Sequence, residues 1–497
     1  MSEIKHTWSK YQETFFNKLT NSKSNLVVQA TPGSSKSTIL VEGAKRINPT
    51  AKVLFVAFNK SIVEELQKKL PARVKCSTLH AMGNSALYAK FKHLKLTESK
   101  TLIFVNYRIK KWNIEKKFED AYKFKICRIV ELMRLNLVED MCGIDDLIDH
   151  YDLDFMEPNY QTHIQEVWQD IKKYNLQPAT EKDPKMVDFC DMVHLPTQLE
   201  GVKVFQYDYV MCDESQDFSK AQHLLIEKFV KPNTGRTIFV GDPFQGIYSF
   251  ASADSQSFKI LTEKPNTEVL PLPISYRCPR KVVELANQIH NTIEVWEKAE
   301  EGVVREGKLE EIKGECFVIC RTNRPLIMLY YHLISNGVNC EFKNRQIIEP
   351  VLKFVNGFVG SSQASAKAVM DAKTAQIKAD LKAKGIKKPT KHKKFIQYQE
   401  KAQITKFLFD KFGSFERIVI QLKQAMNKKD GTVQLMTVHF SKGLESERVF
   451  IIMPESLGLI EADMNEWEKE AEKNCHYVAV TRSKKELIFI PEEEFSV

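Results

Sequence analysis

The sequence predicts an α/β protein with two parallel-sheet cores, each interrupted by a mostly helical insertion. Short apolar runs rich in β-branched residues recur along the chain and end in polar loops, as the buried strands of parallel sheets do. Helical stretches separate these runs. The length of 497 residues suggests about three or four compact units, because single cores rarely grow beyond roughly 250–300 residues.

The predicted strands fall into two groups along the chain. The first group is NLVVQA, VLFVAF, YVMCDE and TIFVGD, and the second is CFVICR, VQLMTV, RVFIIM and ELIFI. We therefore expect a first core at residues 1–86 and 200–275, with a helical insertion at 87–199. The second core would comprise residues 276–348 and 431–497, with a basic, mostly helical insertion at 349–430.

Composition narrows the class of protein. The net charge of +9 fits a polyanionic partner, although it would equally serve solubility. No apolar run is long enough for a transmembrane helix, and the polar N-terminus lacks the apolar region of a secretory signal, so we expect a cytoplasmic protein without a membrane partner. The ten cysteines are scattered without a second pair near CFVIC, which indicates reduced thiols rather than a metal site.

Residues 30–38, ATPGSSKST, have the character of a phosphate-binding loop. They lie between the strand run NLVVQA and the apolar helix run TILVEGAKRI, which is the context such a loop needs. Lys36 can reach the β- and γ-phosphates of a nucleotide, and the Ser37 hydroxyl can bind Mg²⁺. Ala30 and Ser35 stand where the GxxxxGK[ST] pattern has glycines. A chance GSSKS in a lysine-rich protein is the alternative.

Acidic and amide side chains follow two further strands. Asp213 and Glu214 end the apolar run in YVMCDESQD. Adjacent carboxylates suit divalent-metal chemistry, with Asp213 holding Mg²⁺ mostly through water and Glu214 orienting and deprotonating the attacking water. Gln245, in VGDPFQGIYSF, is suited to sensing a γ-phosphate or its water. An acidic turn and a polar turn residue after Pro243 are the alternatives.

In order along the chain, five segments resemble the motifs of UvrD/Rep-like superfamily 1 helicases: DESQD, GDPFQGIYSF, SYRCP, TVHFSKGLE and YVAVTRSK. The resemblance runs from Gln12 to Arg482. It implies a DNA helicase with two RecA-like P-loop domains, ATP bound between them with Mg²⁺, and single-stranded DNA crossing both. It also implies 3′→5′ movement, because GIYSF follows GDPFQ where the RecD-like branch usually has LPP. Partners would be single-stranded DNA, its junctions with duplex, and replication or repair proteins.

The resemblance assigns roles around the nucleotide. Gln12 would contact adenine, Tyr276 would stack on the base, and Glu445 would lie near the ribose. Arg277 would reach the γ-phosphate and Arg482 would be the arginine finger, stabilising charge in the transition state; alone, either arginine could form a surface ion pair. The full expected ATP-contacting set is Gln12, Thr31, Pro32, Gly33, Ser34, Ser35, Lys36, Ser37, Thr38, Tyr276, Arg277, Gly443, Glu445 and Arg482. The expected catalytic residues are Lys36, Glu214, Gln245, Arg277 and Arg482, with Ser37 and Asp213 as metal ligands.

A DNA track follows in the same way. Aromatic stacking suits a motor that must step over any sequence, because every base has a π-face. The expected contacts are Phe58, Asn59, Lys60, Thr78, His80, Tyr248, Phe250 and His439. Core packing is the alternative for the two phenylalanines, and a structural hydrogen bond for the two histidines. A lysine run is either a solvated helix and loop or a contact to DNA phosphate: Lys382, Lys384, Lys387, Lys388, Lys391, Lys393 and Lys394.

The sequence departs from the family pattern at several positions. Ser35 replaces a glycine, the segment Ala251, Ser252 and Ala253 stands where Arg-Gly-Ala is usual, and Lys473 and Asn474 replace paired arginines. These changes leave a second hypothesis open, a non-unwinding DNA-binding or remodelling protein with a weakened ATPase site. A helicase–nuclease subunit would need a C-terminal nuclease module for which we see no room before Val497. A P-loop kinase or GTPase would not need the Tyr-Arg and Thr-Arg motifs.

Overall fold

The computed structural model describes residues 7–151, 153, 155, 157–247, 257–383, 389–460 and 464–495, without five of their side chains (Lys117, Gln346, Ala383, Lys391 and Lys393). The chain divides into two compact units, Met1–Ser275 and Tyr276–Val497. Within the described residues, no helix is both long enough and apolar enough to cross a membrane.

Unit 1 is built on a six-stranded parallel sheet. Its strand order is β3-β2-β6-β7-β1-β8. The strands of this unit are β1 (Asn25–Ala30), β2 (Val53–Val56), β3 (Val74–Ser77), β4 (Leu94–Leu96), β5 (Lys185–Val187), β6 (Tyr209–Cys212), β7 (Arg236–Gly241), β8 (Thr267–Leu272) and β9 (Ile274–Ser275). The helices of this unit are α1 (Lys10–Asn21), α2 (Lys36–Arg46), α3 (Lys60–Gln67), α4 (Leu79–Phe91), α5 (Lys100–Ile109), α6 (Lys116–Asn136), α7 (Met141–His150), α8 (Tyr160–Leu176), α9 (Phe189–Gln198), α10 (Lys220–Phe229) and α11 (Ser257–Thr262).

Both faces of this sheet are buried, which explains why its strands are continuously apolar. In β1, Leu26 and Val28 pack into one hydrophobic cluster, and Val27 packs into another on the opposite face. In β2, Phe55 joins the first cluster and Leu54 joins the second. This alternation is what the two-residue period of a strand requires when helices cover both faces.

Helices α5 to α8 form a separate hydrophobic core within unit 1. Its centre is the fully buried Trp168 of α8, packed among apolar residues of α5, α6 and α7. The small parallel pair β4–β5 and helix α9 complete this part of the chain. Beside it lies a buried ionic network, in which the Lys100 ammonium pairs with Asp191 at 2.6 Å and Arg134 pairs with Asp188 at 2.9 Å.

Unit 2 repeats the architecture with a second six-stranded parallel sheet, ordered β11-β16-β15-β12-β14-β13. The strands of this unit are β10 (Glu294–Val295), β11 (Val303–Glu306), β12 (Cys316–Cys320), β13 (Cys340–Phe342), β14 (Val433–Thr437), β15 (Ser446–Ile452) and β16 (Ser483–Ile490). Its helices are α12 (Arg280–Ile289), α13 (Asn323–Ser335), α14 (Glu349–Asn356), α15 (Gln363–Ala383), α16 (Lys393–Phe412), α17 (Phe415–Asn427), α18 (Val438–Ser441) and α19 (Glu466–Val480).

The predicted fold class is confirmed. All eight apolar runs contain strands, and each lies in one of two parallel sheets. Between β13 and β14 the chain is helical, with the long helices α15 and α16 packed against each other through Ile377, Leu381 and Phe395. In the predicted lysine run, residues 384–388 lie outside the described residues, and Lys382 and Lys394 are exposed.

Candidate nucleotide site and DNA track

Three segments with candidate catalytic residues follow neighbouring strands of unit 1. The phosphate loop follows β1, the acidic pair follows β6, and the segment with Gln245 follows β7. The sheet places these strands side by side in the order β6-β7-β1. Ligands of parallel α/β sheets bind at the carboxyl ends of the strands. The topology therefore brings the three segments to one edge.

The phosphate loop is held by hydrogen bonds from small polar side chains. The Thr31 hydroxyl donates to the Pro273 carbonyl at 2.9 Å, and the Ser34 hydroxyl donates to the Thr31 carbonyl at 2.8 Å. Pro32 is also buried, while Thr38, in the first turn of α2, is exposed. These hydrogen bonds hold the loop in place directly before the N-terminus of α2, where anions bind favourably.

Two positions in this loop adopt left-handed backbone conformations. Gly33 has a φ of 73° and Ser35 has a φ of 68°. Ser35 is the residue before α2, and its side chain makes no capping hydrogen bond. A left-handed conformation costs a non-glycine residue roughly 1–2 kcal/mol. The left-handed conformation explains why the GxxxxGK[ST] pattern has glycine at this position. Ser35 adopts that left-handed backbone conformation although it is not glycine.

The loop and the acidic pair are joined by two contacts. The Ser37 hydroxyl donates a hydrogen bond to Asp213 Oδ2 at 2.6 Å. The Lys36 ammonium lies 3.7 Å from Glu214 Oε1. The Glu214 backbone N–H in turn donates to Asp213 Oδ1 at 2.9 Å. The predicted metal-binding and catalytic residues of these two segments are therefore in direct contact.

Two residues that the sequence analysis missed extend this network. The Gln216 amide donates to Glu214 Oε2 at 2.6 Å, and its oxygen accepts from the Asp242 backbone N–H at 3.1 Å. Asp242 Oδ2 accepts a hydrogen bond from the Gln245 amide at 2.8 Å. Both missed residues lie inside motifs quoted above, DESQD and GDPFQ. Their position directly after two strands was the signal that could have identified them.

Backbone geometry shows how closely these segments approach. A side chain at Gly241 would bring its Cβ to 2.5 Å from Gln216 Oε1 and 2.7 Å from Ser215 Oγ, so this position requires glycine. Glu214 has a φ of 52°, in the left-handed region. Strained backbone of this kind tends to occur where the surrounding structure fixes a functional group. Glu214 is therefore held in a conformation that its residue type does not favour.

The site is rich in negative charge. Burial and the neighbouring Glu214 raise the pKa of Asp213 to about 6. Burial also raises the pKa of Asp242 to about 6, against the charge of Lys36, which lowers it. Burial is the largest cause of both shifts, and at Asp213 repulsion from the neighbouring Glu214 adds more than Lys36 offsets. A divalent cation beside Ser37 and Asp213 would relieve this repulsion, and a hydroxyl with a carboxylate is a ligand set that Mg²⁺ accepts.

Gln12 lies in the first turn of α1, away from these segments in sequence. It is buried, and its side-chain oxygen accepts a hydrogen bond from the Ser9 backbone N–H at 2.9 Å, forming a capping box with the Ser9 hydroxyl. Helix capping therefore accounts for the side-chain oxygen of Gln12. Contact with adenine stays a prediction.

The two candidate arginines of unit 2 meet at Thr481. Arg277 pairs with Glu445 and donates to the Thr481 carbonyl at 3.4 Å. Arg482 is fully buried, and its guanidinium donates to the Val478 carbonyl at 2.8 Å and to the Thr481 hydroxyl at 3.1 Å. Arg482 is thus anchored within its own unit, whereas Arg277 is held by a partly exposed ion pair. Their roles at a γ-phosphate stay predictions.

The remaining unit 2 nucleotide candidates lie near these arginines in the chain. Glu445 is also paired with Lys484 at 3.5 Å; although burial raises its pKa, Arg277 and Lys484 lower it overall. Gly443 has a φ of 80°, which accounts for glycine there. The half-buried Tyr276 ring contacts Trp296 edge to face at 5.6 Å between centroids.

The DNA candidates of unit 1 follow the neighbouring strands β2 and β3. Phe58 is 48% exposed, which excludes core packing as its role. Lys60 is exposed beside it. Asn59 and Thr78 cap α3 and α4, accepting hydrogen bonds from the Ile62 and Ala81 backbone N–H groups.

Both candidate histidines are half-buried. The His80 ring contacts Phe189 edge to face at 5.9 Å, and burial lowers its pKa. His439 lies on α18, with its Nε2 atom 3.8 Å from the Cys475 sulfur, and burial lowers its pKa to about 4. Tyr248, Phe250 and the departures at 251–253 lie outside the described residues. Direct DNA contact by any of these side chains stays a prediction.

Comparison with known proteins gives a consistent result. Residues 11–266 match the UvrD/REP helicase N-terminal domain. The F-box DNA helicase protein 1 of Schizosaccharomyces pombe is 26% identical over 53% of this chain and 30% of its own length. The F-box DNA helicase 1 of Gallus gallus is 24% identical over 98% of this chain and 49% of its own. The ATP-dependent DNA helicase Rep of Escherichia coli is 34% identical over 25% of this chain and 20% of its own. The chain thus spans half or less of each of these relatives.

Proposed function

Because this chain belongs to the UvrD/Rep helicase family, we propose that it is an ATP-dependent DNA helicase that translocates 3′→5′ on single-stranded DNA and unwinds duplex, driven by Mg²⁺-dependent ATP hydrolysis. The observation that carries the proposal is the hydrogen bond from Ser37 to Asp213, at 2.6 Å. It joins the phosphate loop directly to the acidic pair.

Each residue of the network has a chemical role in this proposal. Lys36 neutralises charge on the β- and γ-phosphates, and Glu214 accepts a proton from the attacking water. Ser37 and Asp213 hold Mg²⁺, which neutralises phosphate charge when bound. Gln245 contacts the γ-phosphate or its attacking water, and its hydrogen bond to Asp242 positions its side chain. Arg277 and Arg482 supply guanidinium charge to the transition state.

DNA binding in this proposal begins at β2 and β3. Phe58 stacks on a base, and Lys60 pairs with a phosphate. The side chains of Asn59 and Thr78 already cap α3 and α4. Their main role is therefore to hold the N-termini of these helices in place, so that backbone N–H groups face the DNA strand.

One observation favours a second function, a DNA-binding or remodelling protein with a weakened ATPase and no unwinding. Ser35 occupies a left-handed position that favours glycine. A strained phosphate loop would bind ATP less tightly without altering DNA contacts. The two functions differ in whether hydrolysis is coupled to strand separation.

The first test uses the Lys36→Ala variant. Loss of the ammonium beside the phosphates removes an interaction that strengthens in the transition state, so DNA-stimulated ATP hydrolysis should fall by at least about 100-fold. Lys45→Ala is the matched control, because Lys45 lies on the same helix and is exposed. Retained DNA-stimulated turnover in Lys36→Ala would refute the assigned phosphate site.

Direction and unwinding need a second assay. Duplexes with a 3′ or a 5′ single-stranded tail are incubated with ATP and Mg²⁺, and strand separation is followed by fluorescence. The proposal predicts faster separation of the 3′-tailed duplex. Faster separation of the 5′-tailed duplex would overturn the direction. ATP hydrolysis stimulated by DNA without separation of either duplex would favour the remodelling function.

A further inference from the structure

A buried histidine on α10 is connected to the segment that carries Glu214. His223 is 6% exposed, and its Nε2 atom lies 2.5 Å from the hydroxyl oxygen of Ser257, the first residue of α11. The Ser257 hydroxyl is fully buried and lies 3.4 Å from the carbonyl oxygen of Ser215. Ser215 directly follows Glu214 in the sequence. Two hydrogen bonds therefore join α10 and α11 to the backbone beside the residue that we propose activates water.

The direction of these two hydrogen bonds follows from their chemistry. A serine hydroxyl has a single proton, so if Ser257 donates to the Ser215 carbonyl it must accept from His223 Nε2–H. Within the described residues, the Nδ1 atom of His223 is buried and has no hydrogen-bond partner. A buried acceptor without a partner is better tolerated than a buried N–H without one. We therefore assign the proton of the imidazole to Nε2.

The imidazole of His223 is neutral near pH 7. Burial lowers its pKa to about 3, and the charge of Lys264 lowers it further in the same direction. The ring also packs edge to face against Phe218 and Phe239, at 5.8 Å and 6.0 Å between centroids. His223 is thus a neutral donor whose orientation is fixed by its neighbours.

Ser215 is held from two sides. Its hydroxyl donates to the Val240 carbonyl of β7 at 3.1 Å, and its carbonyl accepts from Ser257. Fixing Ser215 also fixes the peptide unit that follows Glu214. The left-handed φ of 52° at Glu214 belongs to a class of conformations that cost roughly 1–3 kcal/mol and persist only where the surroundings impose them. The hydrogen bonds to Ser215 are part of those surroundings.

We propose that His223 and Ser257 are positioning residues for ATP hydrolysis: His223 orients the Ser257 hydroxyl, and Ser257 holds the backbone that sets the direction of the Glu214 carboxylate. The inference rests on the proposed function and adds two residues to its hydrolytic machinery. Neither residue touches ATP in this account. A hydrogen bond that only stabilised the core would alter the free energy of unfolding and leave the kinetic constants unchanged.

The first test is the Ser257→Ala variant. Without the hydroxyl, Glu214 is less well directed at the water, and DNA-stimulated kcat should fall about tenfold or more, because a misplacement of about 1 Å can cost on the order of 10² in rate. KM for ATP should stay within about twofold, since Lys36 and Ser37 keep their contacts with the phosphates. A wild-type kcat in Ser257→Ala would overturn the inference.

A pair of substitutions at His223 separates positioning from packing. Gln can place a side-chain N–H near the position of Nε2, whereas Asn is too short to reach Ser257. His223→Gln should therefore keep kcat within about threefold of the wild type, and His223→Asn should lower it as Ser257→Ala does. Urea midpoints are measured for both variants. Equal kcat values for the two would overturn the inference.

His194→Asn is the matched control. His194 is another buried histidine of unit 1, and burial lowers its pKa to about 3 as well. It lies on α9, outside the hydrogen bonds that lead to Ser215. This control should keep the wild-type kcat even if its urea midpoint falls. A loss of kcat equal to that of His223→Asn would assign the effect to core destabilisation and overturn the inference.

The tautomer of His223 gives a test that does not use ATP. The imidazole nitrogens are observed by NMR in the full chain labelled with ¹⁵N-histidine, and the His223 signals are identified by their absence in His223→Gln. We expect the proton on Nε2 at neutral pH. A proton on Nδ1 would overturn the inference, because the Ser257 hydroxyl would then donate to His223 instead of Ser215.

Failure of the inference and failure of the proposed function give different results. A wild-type chain that hydrolyses ATP in response to DNA, with an unchanged kcat in Ser257→Ala, overturns the positioning role alone. A wild-type chain that binds DNA and does not hydrolyse ATP overturns the proposed function and this inference with it.

Discussion

Replacing Ser35 with glycine should stabilise unit 1 by relieving backbone strain in the phosphate loop. Ser35 adopts a φ of 68° and a ψ of 37°, and its side chain makes no capping hydrogen bond. No capping hydrogen bond is therefore lost with the hydroxyl, and the steric conflict of the Ser35 Cβ with the left-handed backbone is removed. This relief is worth roughly 1–2 kcal/mol.

The gain is offset in part by the unfolded chain. Glycine loses more conformational freedom on folding than other residues, at a cost of about 0.5–1 kcal/mol. The net effect is a stabilisation of about 0–1.5 kcal/mol, with a midpoint of about 0.75 kcal/mol. The assay is urea unfolding followed by fluorescence, comparing midpoints at a constant m-value.

The matched control is Ser34→Gly, one residue earlier in the same loop. The Ser34 hydroxyl donates to the Thr31 carbonyl at 2.8 Å in a buried setting. Its removal should destabilise by about 1 kcal/mol. A Ser35→Gly variant that unfolds at lower urea than the wild type would refute the argument from backbone strain.

Three further predictions concern charge. Burial raises the folded pKa of Asp242 and of Asp213 to about 6, well above the ordinary value of 3.8, so the free energy of unfolding without Mg²⁺ should fall as pH rises from about 4 to 6. Asp242→Asn should reduce this dependence in unfolding curves, and the part that Asp213 contributes should remain. Arg277→Ala should lower kcat by on the order of 10³ with little change in the unfolding midpoint. Arg482→Ala should lower both kcat and the unfolding midpoint, because Arg482 is fully buried. Equal unfolding midpoints for the two variants would contradict the difference in how the two arginines are anchored. Replacing Lys382 and Lys394 with glutamine should reduce the salt slope of DNA binding by roughly 0.7 each, and an unchanged slope would assign them to a solvated face.

Central strands of the fold could be predicted from the sequence, and edge strands could not. β1 and β12 lie inside their sheets and are buried on both faces, so they appear as continuous apolar runs. β3 and β11 lie at sheet edges, and their sequences VKCS and VVRE place charged residues within the strand. An edge strand with a solvent-exposed side carries no run of that kind.

The candidate site was predictable residue by residue only where chemistry singles out a side chain. Lys36 and Glu214 follow from the needs of phosphate and water activation. Asp242 and Gln216 were missed, because their importance depends on the order β6-β7-β1, which the sequence does not display. The burial of Arg482 was equally hidden, because its guanidinium also donates to the Leu444 carbonyl at 3.2 Å, a residue distant in the chain.

The central claim is that the network from Lys36 to Gln245 hydrolyses ATP in response to DNA. The measurement that tests it most directly is steady-state ATP hydrolysis with Mg²⁺, with and without single-stranded DNA, for the wild type and Glu214→Gln. We predict strong stimulation by DNA in the wild type and its loss in Glu214→Gln, with DNA binding retained in both. Intact DNA binding with no hydrolysis by the wild type would contradict the claim and favour the DNA-binding function.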